Sequence, residues 1–519
     1  MGKLKWLKES IIYSVYPQSF NDTNGDGIGD LQGITEKLDY IKSLGCNIIW
    51  MSPIFESHFR DAGYDVSDFY KIAPRYGTDE DLRKLCSEAK KRDMHIILDL
   101  VAGHTALECE WFQKSAEYEK NEYSNRYIWT NEIGDLGDGT FINGYSERDG
   151  SYMKNYFYCQ PALNYGFANP DPEKEWQLPV NHPDCVSTQN EILKIMDYWS
   201  EYGVDGFRVD MAFSLVKNDP DSKATIEVWK RLSSEFKQRH PQSILIAEWG
   251  DPEKSIEGGF DIDYLMQSEH AMYTTLYRHE AGKSDRLTWV GPSYFRKAGE
   301  GDFALFSDEF IDQLEKIKGK GYMSIITGSH DISRISWERD VDELKVIQAF
   351  IMTMPAIPLI YYGDEIGMRY ISGMRSVEGA YKRTGSRTPM QWNGEKNYGF
   401  TISDKPYIMP DPSKDAPTVE NQENKENSLL MHMRKMTELR HKYPALQADG
   451  DFEVYETGYP AIYERKLDDE KIRVIINPSG REYKIECSNI KEILAKFNAE
   501  VDGNDVLMKG CSYFIYRIK

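Results

Sequence analysis

The chain has 519 residues, of which 40% are hydrophobic and 28% charged, and its formal net charge is -21. It is too long for one small domain and has the composition of a soluble globular protein. The acidic balance excludes nucleic acid and an anionic membrane surface as partners and suits a neutral small ligand.

The first residues, Met1 to Ser10, are charged and run straight into a β-prone stretch, without an apolar signal core or a cleavage site. No run is long enough to span a bilayer. Seven cysteines without metal-type spacing predict free buried thiols. Together these features place the protein in the cytoplasm as a monomer or weak homo-oligomer. Its substrate is then imported, and therefore short.

In chain order, apolar β runs alternate with helix-period segments over the first four hundred residues, the pattern of a parallel sheet wrapped by helices. Eight strands are predicted: Ile11 to Tyr16, Asn47 to Met51, His95 to Leu100, Gly206 to Asp210, Leu245 to Glu248, Phe260 to Met266, Met323 to Ile326 and Ile357 to Tyr361. The helix after the first places Ile34, Leu38, Ile41 and Leu44 on one face and stops at Gly45. The next starts at the N-cap Thr78 and turns Leu82, Leu85 and Ala89 inward. A series of this kind closes as a (β/α)8 barrel.

The barrel is interrupted after its third strand by residues 105–186, rich in Tyr, Asn, Gly and Asp and too long for a structureless loop. They read as an inserted domain between barrel segments 1–104 and 187–446. A polar loop, Asp411 to Asn427, follows the eighth strand, and a helix with Leu429, Met433, Met436 and Leu439 inward ends before Pro444. From about Phe452 the period changes to two, which predicts an antiparallel β domain, a small β-sandwich over 447–519.

Two of the predicted strands end on carboxylates, Gly206-Phe207-Arg208-Val209-Asp210 and Ile244-Leu245-Ile246-Ala247-Glu248, and Thr327-Gly328-Ser329-His330-Asp331 follows a third. Strand ends open onto the rim where a barrel binds its ligands. Carboxylates side by side on that rim are what glycosidic-bond cleavage requires: an acid for the leaving oxygen and a carboxylate to meet the sugar cation.

With these strings stand Tyr13-Ser14-Val15-Tyr16-Pro17-Gln18-Ser19-Phe20, Gly63-Tyr64-Asp65-Val66-Ser67-Asp68, Asp99-Leu100-Val101-Ala102-Gly103-His104-Thr105 and Arg387-Thr388-Pro389-Met390-Gln391-Trp392. In this order they resemble the α-amylase family of retaining glycoside hydrolases (glycoside hydrolase family 13), nearly end to end. The likeness is greatest to its oligo-1,6-glucosidase, dextran glucosidase and α-glucosidase branch. The resemblance implies that Asp210 is the nucleophile, Glu248 the acid/base and Asp331 a third carboxylate that steadies a distorted sugar. His104 and His330 would hydrogen-bond the sugar hydroxyls, Tyr64 would stack on the ring, and Asp61 with Arg387 would grip the non-reducing end. Arg208, two residues before Asp210 on the same strand, is expected to lower the pKa of the nucleophile.

The stretch Asn21 to Asp30 resembles a calcium loop, with oxygens from Asp22, Asn24, Asp26, the Ile28 carbonyl and Asp30 at alternate positions. Gly33 stands where an EF-hand has its bidentate Glu, so a structural Ca2+ is expected rather than a sensor. No organic cofactor is expected.

Four departures from the family's pattern stand out. Gly103 replaces the Asn that in many amylases helps bind calcium between barrel and insert, so no ion is expected there. Met211-Ala212-Phe213-Ser214 replaces a Lys-His pair, Ser329 replaces an Asn, and Ala162 replaces an Asp in Gln160-Pro161-Ala162-Leu163-Asn164. The leading reading is a retaining exo-acting α-glucosidase on short oligosaccharides. A transglycosylase or isomerase resembling trehalose synthase, a glucosyltransferase, and an endo-acting amylase or neopullulanase remain open on the same scaffold, as does a non-enzymatic transporter subunit.

Overall fold

A computed structural model describes residues 4–132, 139–143, 146–265, 272–277, 292–379 and 382–519. Eight parallel strands close a barrel: β1 (Ile12–Val15), β2 (Ile48–Met51), β3 (His95–Val101), β4 (Gly206–Asp210), β5 (Ile244–Ala247), β6 (Ile262–Tyr264), β7 (Tyr322–Ile326) and β8 (Ile357–Tyr361). Each matches a predicted strand; Met266, the predicted end of the sixth, lies outside the described residues. Apart from His95 at the start of β3, every barrel-strand residue is buried, which is why these strings read as continuous apolar runs. Gly206 opens β4 because the backbones crowd there: a Cβ would lie 2.0 Å from the Ile244 carbonyl oxygen.

Helices cover the barrel. The helix Asp79–Lys90 begins in a capping box, in which Thr78 and Asp81 satisfy each other's backbone N–H. The crossover from β1 to β2 differs from the single predicted helix. It breaks at Lys37 into Leu31–Glu36 and Leu38–Ser43, although Ile34, Leu38, Ile41 and Leu44 are all buried as expected. The predicted loop after β8 also contains a short helix, Val419–Glu423, capped by Thr418.

Two excursions from the strand ends build the rim. After β2, a hairpin of Phe55–Ser57 and Val66–Ile72 carries Asp61 and Tyr64 in its connection. After β3, the inserted segment forms a small antiparallel sheet of Trp129–Thr130, Ser151–Met153 and Phe141–Asn143. It folds back on the end of β3, where Leu163 N–H donates to the Gly103 carbonyl at 3.0 Å and the Tyr165 hydroxyl to the Ala102 carbonyl at 2.6 Å.

At the C-terminus six strands, β9 (Asp451–Glu456), β10 (Ala461–Leu467), β11 (Glu470–Asn477), β12 (Tyr483–Glu486), β13 (Ile490–Asp502) and β14 (Asp505–Ile518), hydrogen-bond into one antiparallel sheet. Alternate residues face two ways: Tyr463, Val474, Tyr513 and Ile515 join the main core, while Ile475, Val506, Phe514 and Tyr516 make a second cluster.

Candidate active site

The parallel register sets Asp99 of β3 beside Arg208 of β4, and Ile246 of β5 on its other side. Arg208 is 1% exposed and points along the barrel interior. Its Nη1 lies 2.8 Å from Asp99 Oδ1 and 3.1 Å from Asp210 Oδ1, and its Nη2 lies 2.7 Å from Glu248 Oε2. The same Nη2 donates to the Tyr264 hydroxyl of β6 at 2.7 Å. One planar cation therefore bridges side chains from four consecutive strand ends, a geometry suited to the arginine fork.

Glu248 follows β5 directly. Its Oε2 also accepts the Met211 N–H at 2.8 Å, and Met211 is held in the left-handed region at φ 43° just after Asp210. Two donors thus meet on Oε2. Asp210 and Glu248 are buried but not sealed, with side chains 11% and 10% exposed.

Arg208 does pull the Asp210 carboxyl down, as expected, but it is outweighed. Burial first, then the charge of Glu248, raise the Asp210 carboxyl well above the ordinary range, and Arg208 does not offset them. The reason is division: one guanidinium faces three carboxylates, Asp99 included, and cannot neutralise all of them.

Asp331 lies beyond β7, its side chain 36% exposed. His330 Nε2 is 3.1 Å from its Oδ2, Arg387 Nη2 is 3.4 Å from its Oδ1, and Arg383 donates to that same oxygen. Burial would raise this carboxyl, but His330, Arg383 and Arg387 hold it well below the usual range. The His330 ring is stacked between Tyr64, at 5.3 Å, and Tyr16, at 6.0 Å. Tyr64 donates its hydroxyl to Asp99 Oδ2 at 2.9 Å, which ties this wall to Arg208. Thus Asp210, Glu248, Asp331, Tyr64, His330 and Arg208 share one rim.

Three sequence expectations change. The cation paired with Asp61 is Arg383, whose Nη2 lies 3.2 Å from Asp61 Oδ1, while Gln160 of the inserted segment donates to Oδ2 at 2.8 Å. Arg387 is 1% exposed and donates through Nε to the His330 carbonyl at 2.8 Å, so it braces the loop from beneath. His104 is turned away from free hydrogen bonding: its Nε2 lies 3.1 Å from the Tyr64 carbonyl and its Nδ1 3.1 Å from the Asn155 amide. Burial lowers its pKa to about 3, so the ring is neutral. Tyr64, expected to stack on sugar, has one ring face against His330.

The Asp22–Asp30 loop lies apart from these residues. Its donors hold backbone instead of converging: Asp22 accepts from Asn24, Gly25 and Gly27, Asn24 from Asp26, Asp26 from Ile28, and Asp30 from Thr23 and Gly33. Among the described residues no group of three or more His, Cys, Asp or Glu side chains comes together to hold a metal.

The family model for the alpha amylase catalytic domain matches residues 14–449. The chain belongs to this family. Among curated alpha-amylase relatives, it is 29% identical to a glucan 1,6-alpha-glucosidase of Streptococcus pneumoniae serotype 4, covering 95% of this chain and 96% of that protein. It is 31% identical to alpha-amylase 3 of Dictyoglomus thermophilum, covering 99% and 94%. A crystal structure of an isomaltulose synthase mutant from Erwinia rhapontici NX5, in complex with D-glucose, superposes with a TM-score of 0.83 at 24% identity over 100% of both chains. At that identity the likeness shows the fold.

Within this alpha-amylase frame, Arg383, Gln160 and Asp99 are the site residues that sequence reading passed over. Arg383 had a signal, since it stands four residues before Arg387 in Arg383-Thr384-Gly385-Ser386-Arg387. Gln160 had none of its own, because its partner Asp61 lies 99 residues away in the chain.

Proposed function

We propose that this protein is a retaining α-glucosidase that releases glucose from the non-reducing end of short α-glucosides. The observation that carries the reading is the single Arg208 guanidinium in contact with both Asp210 and Glu248 at adjacent strand ends. A sugar bound against this pair meets a nucleophile and a proton donor together. Asp210 attacks the anomeric carbon as Glu248 delivers its proton to the leaving oxygen, and that carbon–oxygen bond breaks. Water then gives its proton back to Glu248 and attacks the same carbon, and Asp210 leaves as a carboxylate.

Exo-action is supported by the cluster of Asp61, Arg383 and Asp331 on the opposite side, where a charged clasp suits the hydroxyl-rich terminus of a sugar chain. No described helix is long and apolar enough to cross a membrane. The cytoplasm is the proposed compartment, in keeping with seven cysteines that are buried and unpaired.

The test is turnover of maltose, isomaltose, trehalose, sucrose, panose and starch with product analysis. Short substrates should yield α-glucose, and Glu248→Gln should lower kcat/KM by about 10^2–10^4, the range of general acid–base catalysis. Wild-type-like activity in that variant contradicts the reading, and products longer than the substrate would mark transfer to a sugar acceptor. Calcium on the Asp22–Asp30 loop is a separate structural proposal, supported by the alternate oxygens of Asp22, Asn24, Asp26, the Ile28 carbonyl and Asp30. A thermal midpoint that rises with added Ca2+ and falls with chelator establishes the ion; one unmoved by either removes it.

A further inference from the structure

The corner where the inserted segment meets the end of β3 contains a line of polar groups that the reaction above does not use. Lys217 is half-buried there, and the loss of water around its ammonium lowers its pKa to about 8. Its Nζ donates to the Ser214 carbonyl at 2.6 Å and to Asn155 Oδ1 at 3.2 Å. Asn155 Nδ2 lies 3.1 Å from His104 Nδ1, and His104 Nε2 lies 3.1 Å from the Tyr64 carbonyl.

The chemistry of the two ends fixes the direction of every bond between them. The Tyr64 carbonyl only accepts, so His104 Nε2 carries the hydrogen. The ring is neutral, so Nδ1 is an acceptor and needs a donor. The Lys217 ammonium only donates, so the Asn155 atom facing it is the carbonyl oxygen. Flipping the amide would set donor against donor at Lys217 and acceptor against acceptor at His104.

Two departures noted in the sequence meet at this corner. A Cβ on residue 103 would lie 2.8 Å from Asn155 Nδ2, so glycine makes room for the amide. Ala162 pairs with His104 across an antiparallel bridge, next to the Leu163–Gly103 hydrogen bond.

We infer that Asn155 is a positioning residue, oriented by the Lys217 ammonium, that holds His104 in its Nε2–H tautomer and thereby fixes the Tyr64 wall of the sugar site. The inference rests on the glucosidase reading and is tested so that the two can fail separately. Wild-type turnover of p-nitrophenyl α-D-glucopyranoside, lost in Asp210→Asn, first establishes the activity; no turnover in the wild type sinks the glucosidase reading alone.

Asn155→Ala removes the donor. Asn155→Asp keeps an acceptor for Lys217, and so the packing and the fold, but offers nothing to His104 Nδ1. Both variants should lose about tenfold in kcat/KM, the scale of one hydrogen bond, while the Asn155→Asp protein melts no lower than the wild type. Restoration of wild-type kcat/KM by Asn155→Asp, or its retention by Asn155→Ala, overturns the inference. Nitrogen NMR of 15N-histidine-labelled protein, with the His104 signals assigned by their loss in His104→Gln, reads the tautomer without any substrate. The expected result is Nε2–H with a bare Nδ1 in the wild type and a proton on Nδ1 in Asn155→Asp; a wild-type ring protonated on Nδ1 overturns the inference whatever the activity.

Discussion

Arg208 and Arg383 are both cations among carboxylates, but they do different things. Arg208 is sealed in the barrel and shared by Asp99, Asp210 and Glu248, so it sets the spacing and charge of the reacting pair. Arg383 is 17% exposed and joins Asp61 to Asp331 from a loop, where a substrate hydroxyl can reach it. Arg387 is interior, with its Nε on the His330 carbonyl. This division predicts separable losses. Arg383→Ala should raise KM on maltose about tenfold or more, with the melting temperature close to wild type. Arg387→Ala should cost about 1–3 kcal/mol of stability, because it removes a buried side chain and leaves the buried His330 carbonyl without its donor. Equal melting temperatures for the two variants, measured by calorimetry, would contradict it.

At the scale of elements, the strands and their terminal carboxylates were legible because a barrel strand buried on both faces is an unbroken apolar string with chemistry at its end. The rim was less legible. Asp61 sits in a hairpin connection, Gln160 in the inserted segment and Arg383 in the loop after β8, and only folding brings the three together. The direction of the Asp210 shift was hidden for a similar reason, since the sequence shows Arg208 two residues away but not that Asp99 and Glu248 draw on the same charge.

Another buried carboxylate binds elements together. Glu365, just after β8, accepts from Tyr13 of β1 at 2.8 Å and from Tyr40 of the helix Leu38–Ser43 at 2.7 Å. Burial pushes its pKa up to about 7, against the two tyrosine hydrogen bonds. A raised carboxyl keeps its proton in the folded state where the unfolded chain has lost it. Its contribution is therefore full below about pH 4, the unfolded value, and is lost as pH rises towards 7. Glu365→Gln stays neutral throughout, so its melting temperature relative to wild type should be higher at pH 8 than at pH 5. The same difference at both pH values would contradict the assignment.

For the whole molecule, the C-terminal sheet is part of the barrel's support. Arg465 of β10 donates to the backbone carbonyls of Thr353, Gln447 and Gly450, and Arg440 of the helix Leu429–Lys442 to those of Met352, Met354 and Ala356. Two buried guanidiniums thus clamp the segment that leads into β8. The acidic surface and the neutral sugar proposed as substrate fit together, since nothing in the reaction asks for long-range attraction.

Retaining hydrolysis by this protein requires Asp210 to form a bond to glucose. A 5-fluoro-α-D-glucosyl fluoride, which slows release of the glycosyl-enzyme, followed by peptide mass mapping, tests this directly. One added fluoroglucosyl unit is expected on the peptide that contains Asp210, absent in Asp210→Asn. A label on any other residue, or rapid turnover of ordinary substrate by a protein that cannot be labelled at Asp210, would contradict it.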